Sequence, residues 1–265
     1  MAVPLRFPDV DVHPSAVVDE SAQIGEGVVI GPYAVIGPNV SIGAGTRVGP
    51  HVLIDRDTTV GAGCVLYNGA VLGSDPQDLK YRGEATKLHV GDRTVVREYA
   101  TLNRGTSALG HTSVGSDCLL MAYSHVAHDC QIGNHVILSN SVNMGGHVTI
   151  DEWAVVGGAT LIHQFARIGR QAFVGGGSAV RKDVPPYVKA SGNPLQLYGL
   201  NSVGLQRRGM SEDTRRELKR AYRLFFASTH NTSQALALAR EELRALPEIE
   251  IFLSFFEQSA RGVSA

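Results

Sequence analysis

The sequence has little cysteine, few aromatic residues, almost no net charge and no long apolar run. Its three cysteines, Cys64, Cys118 and Cys130, are too few and too scattered over 265 residues for a disulfide framework, which suits a reducing compartment. With 24 Lys plus Arg against 25 Asp plus Glu, the formal charge is -1. No global field therefore draws the chain to nucleic acid or to an anionic membrane surface. The opening MAVPLRFPDV has no basic segment followed by an apolar stretch, and no later run is long and apolar enough to span a bilayer. A cytoplasmic protein with no nucleic-acid partner and no integral membrane segment is expected. Aromatics supply only 6% of the residues while Gly reaches 30, as a repeating backbone with many tight corners would require.

Such a repeat is present. From residue 10 to about 185, aliphatic residues recur six apart: Val12, Val18, Ile24, Ile30, Ile36, Ile42 and onward to Leu72, then Val90, Val96 and Leu102, then Val114 through Val180. Two positions before each, with few exceptions, lies a small or β-branched residue, such as Ala16, Ala22, Val28 and Ala34, and Gly often follows, as at Gly25, Gly31 and Gly37. A period of six is neither helical nor a simple alternating strand. Each unit must be a short strand plus a turn that returns the same position inward. Three units close one triangular coil, and the aliphatic rows stack, each buried side chain contributing about 1.5–3 kcal/mol. The cysteines fall two before Leu66, Leu120 and Ile132, which is the small inward position, so core filling is expected for all three. A zinc cluster of Cys118, His125, His128 and Cys130 is tempting on spacing alone. It fails because Cys118 and Cys130 lie two faces apart around the triangle.

The repeat breaks between Leu72 and Val90 at GSDPQDLKYRGEATK, and again at GTSALGH, residues 105 to 111. Both must be loops leaving the prism; each is a place for binding groups or a solvated excursion. After Val180, the proline-rich KDVPPYVKASGNP ends the pattern and helices follow. We expect domains at 1–190 and 191–265. Ser211, followed by Glu212 and Asp213, predicts a capped helix reaching about Ser228, with further helices near 232–245 and 247–260. The first has an apolar face of Leu218, Tyr222, Phe225 and Phe226, and a basic face of Arg215, Arg216, Lys219, Arg220 and Arg223 that suits either solvent or an acidic partner.

Histidine concentrates in the later coils. At about 18 residues per coil, His128 and His147 fall near each other on successive turns, as do His147 and His163. Imidazoles without metal-like spacing suggest general base catalysis, in which a ring takes a proton from a substrate hydroxyl. Asp129 could orient the His128 ring, provided a corner turns the two neighbours toward one another. Backbone N–H groups in NMGGH, notably that of Gly146, could stabilise an oxyanion.

At these residues the chain resembles the UDP-N-acetylglucosamine acyltransferases that open lipid A biosynthesis in Gram-negative bacteria. The resemblance covers essentially the whole chain: HPSAVV, DPQDLKYRGE, LNRGT, HVAHDC, GGHV, IHQF, KDVPPYV, GNP and GLQRRG. It implies a left-handed parallel β-helix with a C-terminal α-helical domain, and transfer of an (R)-3-hydroxyacyl group from acyl carrier protein to the 3-hydroxyl of the nucleotide sugar, with no metal and no cofactor. It makes His128 the general base with Asp129 beside it and Gly146 the oxyanion donor. His125, His147, His163 and Gln164 would line the cleft. Asp78 and Lys80 would contact sugar and phosphate, and Asn201 and Arg207 the nucleotide. Gly176 would leave the acyl pocket open to a longer chain. Homotrimers with clefts between neighbouring prisms are implied, as is docking of the acidic carrier on the basic helix. Where relatives commonly read IHRGT this chain has Asn103, which hydrogen-bonds but does not titrate near neutrality. Three other readings share the prism: a zinc-dependent carbonic anhydrase, a sugar acyltransferase with an amine acceptor or acetyl-CoA donor, and a structural β-helix. The DLKY loop and GLQRRG speak against the first, and the histidine stack against the last.

Overall fold

The computed structural model describes residues 11–264; the reading of residues 1–10 as free of a leader lies outside the described residues. From Asp11–Val12 to Ala179–Val180, strands of two to four residues alternate with tight corners and pair in parallel into three sheets. Val17 faces Val35 and Gln23 faces Ser41, so strand partners follow at one coil, 18 residues, wherever the repeat is unbroken. The inward rows are sealed: Ile30, Ile36, Ile54, Leu66, Leu102 and Leu138 are at most 1% exposed. Only the first coil, with Val12, Val18 and Ile24 half-buried, has a thinner core, because nothing among the described residues covers its outer end. All three cysteines face inward; Cys118 and Cys130 donate through Sγ to the Gly133 and Gly145 carbonyls. Burial pushes the Cys130 thiol up to about 12.

Corners use the left-handed backbone region, and not only at glycine. Asp117, Asp129, His135, His147, Trp153 and Phe165 all have φ between 57° and 64°. Asp129, His147 and Phe165 lie on one prism edge, between the nine-stranded and the eight-stranded sheets, on three successive coils. Both breaks in the repeat leave from that same edge. The first, between the strands Val71–Ser74 and Lys87–Val90, widens the coil to 30 residues; the second, between Thr101–Asn103 and His111–Val114, widens it to 24. The excursions and the histidine corner are therefore neighbours along one edge.

Past the last coil, Val188–Ser191 and Gln196–Leu200 form an antiparallel hairpin on the eleven-stranded sheet, which the sequence pattern did not indicate. Four helices follow: α1 Ser202–Arg207, α2 Glu212–Phe226, α3 Thr232–Glu242 and α4 Pro247–Gln258. Ser211 caps α2 as predicted, its hydroxyl accepting the Thr214 N–H. The third helix ends at Glu242, short of the predicted 245, where Leu243 turns extended; Leu246, which precedes Pro247, is extended as well. Phe225 and Phe226 of α2 pack on Phe256 of α4. The buried Asp183 carboxylate accepts the Arg167 amide and the Ser259 hydroxyl, which ties the end of the helical region to the prism.

Candidate active site

Adjacent residues on a strand point to opposite faces, so His128 and Asp129 could meet only at a corner. Asp129, at φ 58°, is that corner, and its Oδ2 lies 2.8 Å from His128 Nδ1. The Asp129 side chain has no exposed surface, His128 keeps 13% and His147 24%. The carboxylate also accepts from the Thr106 amide (3.0 Å) and the Thr106 hydroxyl (2.7 Å), while the Asp129 amide donates to Thr112 Oγ1 (2.8 Å). Burial pushes the Asp129 carboxyl up, but the Thr106 hydroxyl, the His128 ring, the Thr106 amide and His147 together bring it net below the ordinary aspartate value. An ionised carboxylate only accepts, so the hydrogen shared in this contact is carried by His128 Nδ1, and Nε2 is the ring nitrogen not engaged by Asp129.

One coil on, the His128 ring lies over Gly146, where an added Cβ would come within 2.4 Å of the ring. Among the described residues the Gly146 N–H joins none of the ladder or corner hydrogen bonds. His147 meets His128 edge-on, ring centroids 5.1 Å apart, and its Nε2 is 3.7 Å from Asp129 Oδ2. The ring stacked on His147 is Phe165, at 4.4 Å and nearly parallel, where the sequence count suggested His163. His163 instead turns Nδ1 to the Gln164 carbonyl at 3.0 Å. His125 Nδ1 is 2.7 Å from the Thr101 hydroxyl on the preceding coil; burial, then the neighbouring His128, pushes its proton affinity down. The trio His128, Asp129 and His147 is the one grouping among the described residues with ligand atoms close enough to hold a metal ion, all within 4.8 Å; it is not the cysteine-containing set the spacing suggested.

The first excursion carries Asp78, whose carboxylate accepts the Lys80 amide at 2.9 Å and leaves the Lys80 side chain exposed. Arg104, from the second break and 1% exposed, holds this loop: its guanidinium donates to the Gly73 carbonyl, the Asp75 carboxylate and, at 3.2 Å, the Tyr81 hydroxyl. Asn103 adds a bond to the Asp75 carbonyl at 2.9 Å. Asn201 and Arg207 lie elsewhere, in a cleft of about 780 Å³ against the eleven-stranded sheet, floored by Val155 and Phe173. That face of the prism is opposite the histidine edge. The Asn201 side chain is already committed within the chain, capping α1 through the Gly204 amide and donating to the Gln171 carbonyl. Gly176 is exposed at a third place, a corner leading into the nine-stranded sheet, where a Cβ would lie 3.0 Å from the Gly158 carbonyl oxygen. Thr101, Arg104, Thr106 and Phe165 were not singled out from the sequence. Counting one coil forward from His147 would have found Phe165.

A family model described as bacterial transferase hexapeptide (six repeats) matches residues 21–56 and 111–146, and one described as Udp N-acetylglucosamine O-acyltransferase, Domain 2, matches residues 183–264. With the three parallel sheets, these make the chain a hexapeptide-repeat transferase built on a left-handed parallel β-helix with a helical C-terminal region. The acyl-[acyl-carrier-protein]–UDP-N-acetylglucosamine O-acyltransferase of Chlorobaculum parvum is 56% identical over 95% of this chain and 96% of its own length; that of Chlorobaculum tepidum is 58% identical over 93% and 94%. The solved structure of LpxA from Acinetobacter baumannii aligns with a TM-score of 0.93 at 41% identity, covering 96% of this chain and 99% of that one. LpxA from Bacteroides fragilis, a UDP-N-acetylglucosamine acyltransferase, gives 0.94 at 39%, covering 96% and 100%. The chain belongs to the acyl-[acyl-carrier-protein]–UDP-N-acetylglucosamine O-acyltransferase family and is an acyltransferase.

Proposed function

We propose that the chain moves an (R)-3-hydroxyacyl group from the thioester of acyl carrier protein to the glucosamine 3-hydroxyl of UDP-N-acetylglucosamine, the opening step of lipid A biosynthesis. The observation that carries the mechanism is the His128 ring, held through Nδ1 by a buried carboxylate and seated over Gly146. His128 Nε2 takes the proton of the sugar hydroxyl as its oxygen attacks the thioester carbonyl. The oxyanion accepts from the Gly146 N–H. Collapse expels the carrier thiolate, which recovers the proton from His128, and an ester replaces the thioester. No metal or cofactor takes part in these steps. The names of the relatives, which specify an acyl carrier protein donor and this nucleotide sugar, support the choice of substrates.

The remaining predicted residues take roles around this centre. His125, His147, His163 and Gln164 line the acceptor side, and the exposed Lys80, with Asp78, meets the diphosphate and sugar by charge and hydrogen bonding. Asn201 and Arg207 meet the nucleotide, and the exposed Gly176 leaves room for a longer acyl chain. Within one chain the Asn201 and Arg207 cleft faces away from His128, an arrangement that supports a homotrimer in which neighbouring prisms each supply part of a site. The exposed Arg216, Lys219, Arg220 and Arg223 of α2 suit an acidic carrier. No helix among the described residues is long and apolar enough to cross a membrane, in keeping with a cytoplasmic enzyme acting on dissolved substrates. The test is transfer from a panel of hydroxyacyl carrier proteins to UDP-N-acetylglucosamine and to its 3-amino analogue. Ester formation on the hydroxyl sugar is expected; transfer to the amine alone would overturn the acceptor assignment.

A further inference from the structure

We infer that Thr106 is a positioning residue for the catalytic dyad: its amide and hydroxyl hold the Asp129 carboxylate in one rotation and, through it, the His128 ring. This rests on the reading of His128 as the base.

The Asp129 side chain is wholly buried, and no lysine or arginine pairs with it among the described residues. Around Asp129 the titratable groups are His128 at hydrogen-bond distance, His147 at 3.7 Å, His125 on the strand just before His128, and the buried Cys130 thiol that follows Asp129 in the chain. A buried carboxylate without a cationic partner stays ionised only if neutral donors surround it. Thr106 supplies two of the three donors, its amide to Oδ1 and its hydroxyl to Oδ2, the oxygen that also holds His128 Nδ1.

The hydroxyl's direction is set by a second contact. Ala108 N–H donates to Thr106 Oγ1 at 3.2 Å, so the single hydroxyl proton is directed to the carboxylate. The loop then closes on itself, with the Gly110 amide on the Thr106 carbonyl at 2.7 Å. Its far end grips the same residue, since Thr112 accepts the Asp129 amide. Gly105 allows this path, because a Cβ there would lie 2.4 Å from the His111 backbone nitrogen. The second break in the repeat is therefore a clamp on Asp129 rather than a solvated excursion.

The experiment is a double-mutant cycle on the full-length enzyme, with thermal melts as the folding control. Thr106→Val removes the hydroxyl and keeps the shape and the amide. It should lower kcat about 10- to 100-fold, the size of one charge-assisted hydrogen bond, with KM for UDP-N-acetylglucosamine little changed. Thr106→Ser should recover most of that loss. In an Asp129→Asn background, Thr106→Val should cost less than about threefold, since the group it acts through is already gone. Full kcat in Thr106→Val, no recovery by Ser, or losses that multiply across the cycle would each overturn the inference. If Val at 106 lowers the melting temperature sharply, Thr106→Ala is run through the same cycle. Activity surviving in His128→Ala would instead defeat the base assignment, an outcome separable from the Thr106–Asp129 coupling.

Discussion

The His128 ring lies on the face of Gly146 so closely that a Cβ built there would be 2.4 Å from His128 Cε1 and 2.6 Å from Nε2. Gly146 does not have a positive φ, so what the site requires there is space and not an unusual backbone angle. Gly146→Ala should therefore fold and should displace the imidazole. We expect kcat to fall by at least about 100-fold, within the range general base catalysis supplies, while the melting temperature changes little. Wild-type turnover in a folded Gly146→Ala enzyme would contradict this packing.

Arg104 links the two excursions. It is buried, and its guanidinium satisfies the Gly73 carbonyl of the strand Val71–Ser74 and a carboxylate and a phenol of the loop that carries Asp78 and Lys80, with the Asp55 carboxylate 3.9 Å away. Because Asp75 and Asp55 remain 64% and 38% exposed and can be solvated when the arginine is removed, Arg104→Met should cost less than breaking a fully buried pair, roughly 1–3 kcal/mol from its lost hydrogen bonds. Arg104→Lys should not rescue it, since a point charge cannot reproduce the planar fork. The shift of the urea midpoint reads the stability loss. A rise in KM for the nucleotide sugar exceeding any fall in kcat reads the loosened loop. An unchanged KM would show that the loop does not hold the sugar nucleotide.

Acid should weaken the fold through His125. Burial, with His128 adding to it, pushes this imidazole below its ordinary value of 6.5. The unfolded chain therefore binds a proton that the folded chain still refuses. This contribution is fully present above about 6.5, is lost as pH falls below it, and levels off only under the depressed folded value. Asp129 acts in the same sense at lower pH, its stabilisation present above 3.8 and lost as pH falls through its lowered folded value. Urea midpoints measured between about pH 7 and pH 5 should fall with acid in the wild type and fall less in His125→Gln. His89, also pushed down by burial, adds a slope of the same sign that both proteins share. Equal slopes in the two proteins would exclude His125 as a source.

The scaffold was legible because its rule is short: a six-residue row needs only an inward side chain and a corner, and the rows from Ile30 onward are buried as the spacing demands. The same count explains the cysteines and brings His128 to His147. It misjudged the next step, since the residue one full coil after His147 is Phe165, while His163 falls two positions earlier, before the corner. What escaped the sequence lies across the breaks. Thr106 meets Asp129 through a coil widened to 24 residues, and Arg104 meets Asp75 through a loop whose return point no periodicity marks. Asn201 illustrates another limit: its amide is used as a helix cap as well as standing in the cleft.

The claim on which the account turns is that His128 is the base, and replacing it tests this most directly. Acyl transfer from a hydroxyacyl carrier protein to UDP-N-acetylglucosamine is measured for wild type and His128→Ala at equal fold and assembly state. The account predicts a loss of at least about 100-fold in kcat, up to about 10⁴-fold, with the carrier still bound. A folded His128→Ala enzyme that keeps most of its turnover would contradict it.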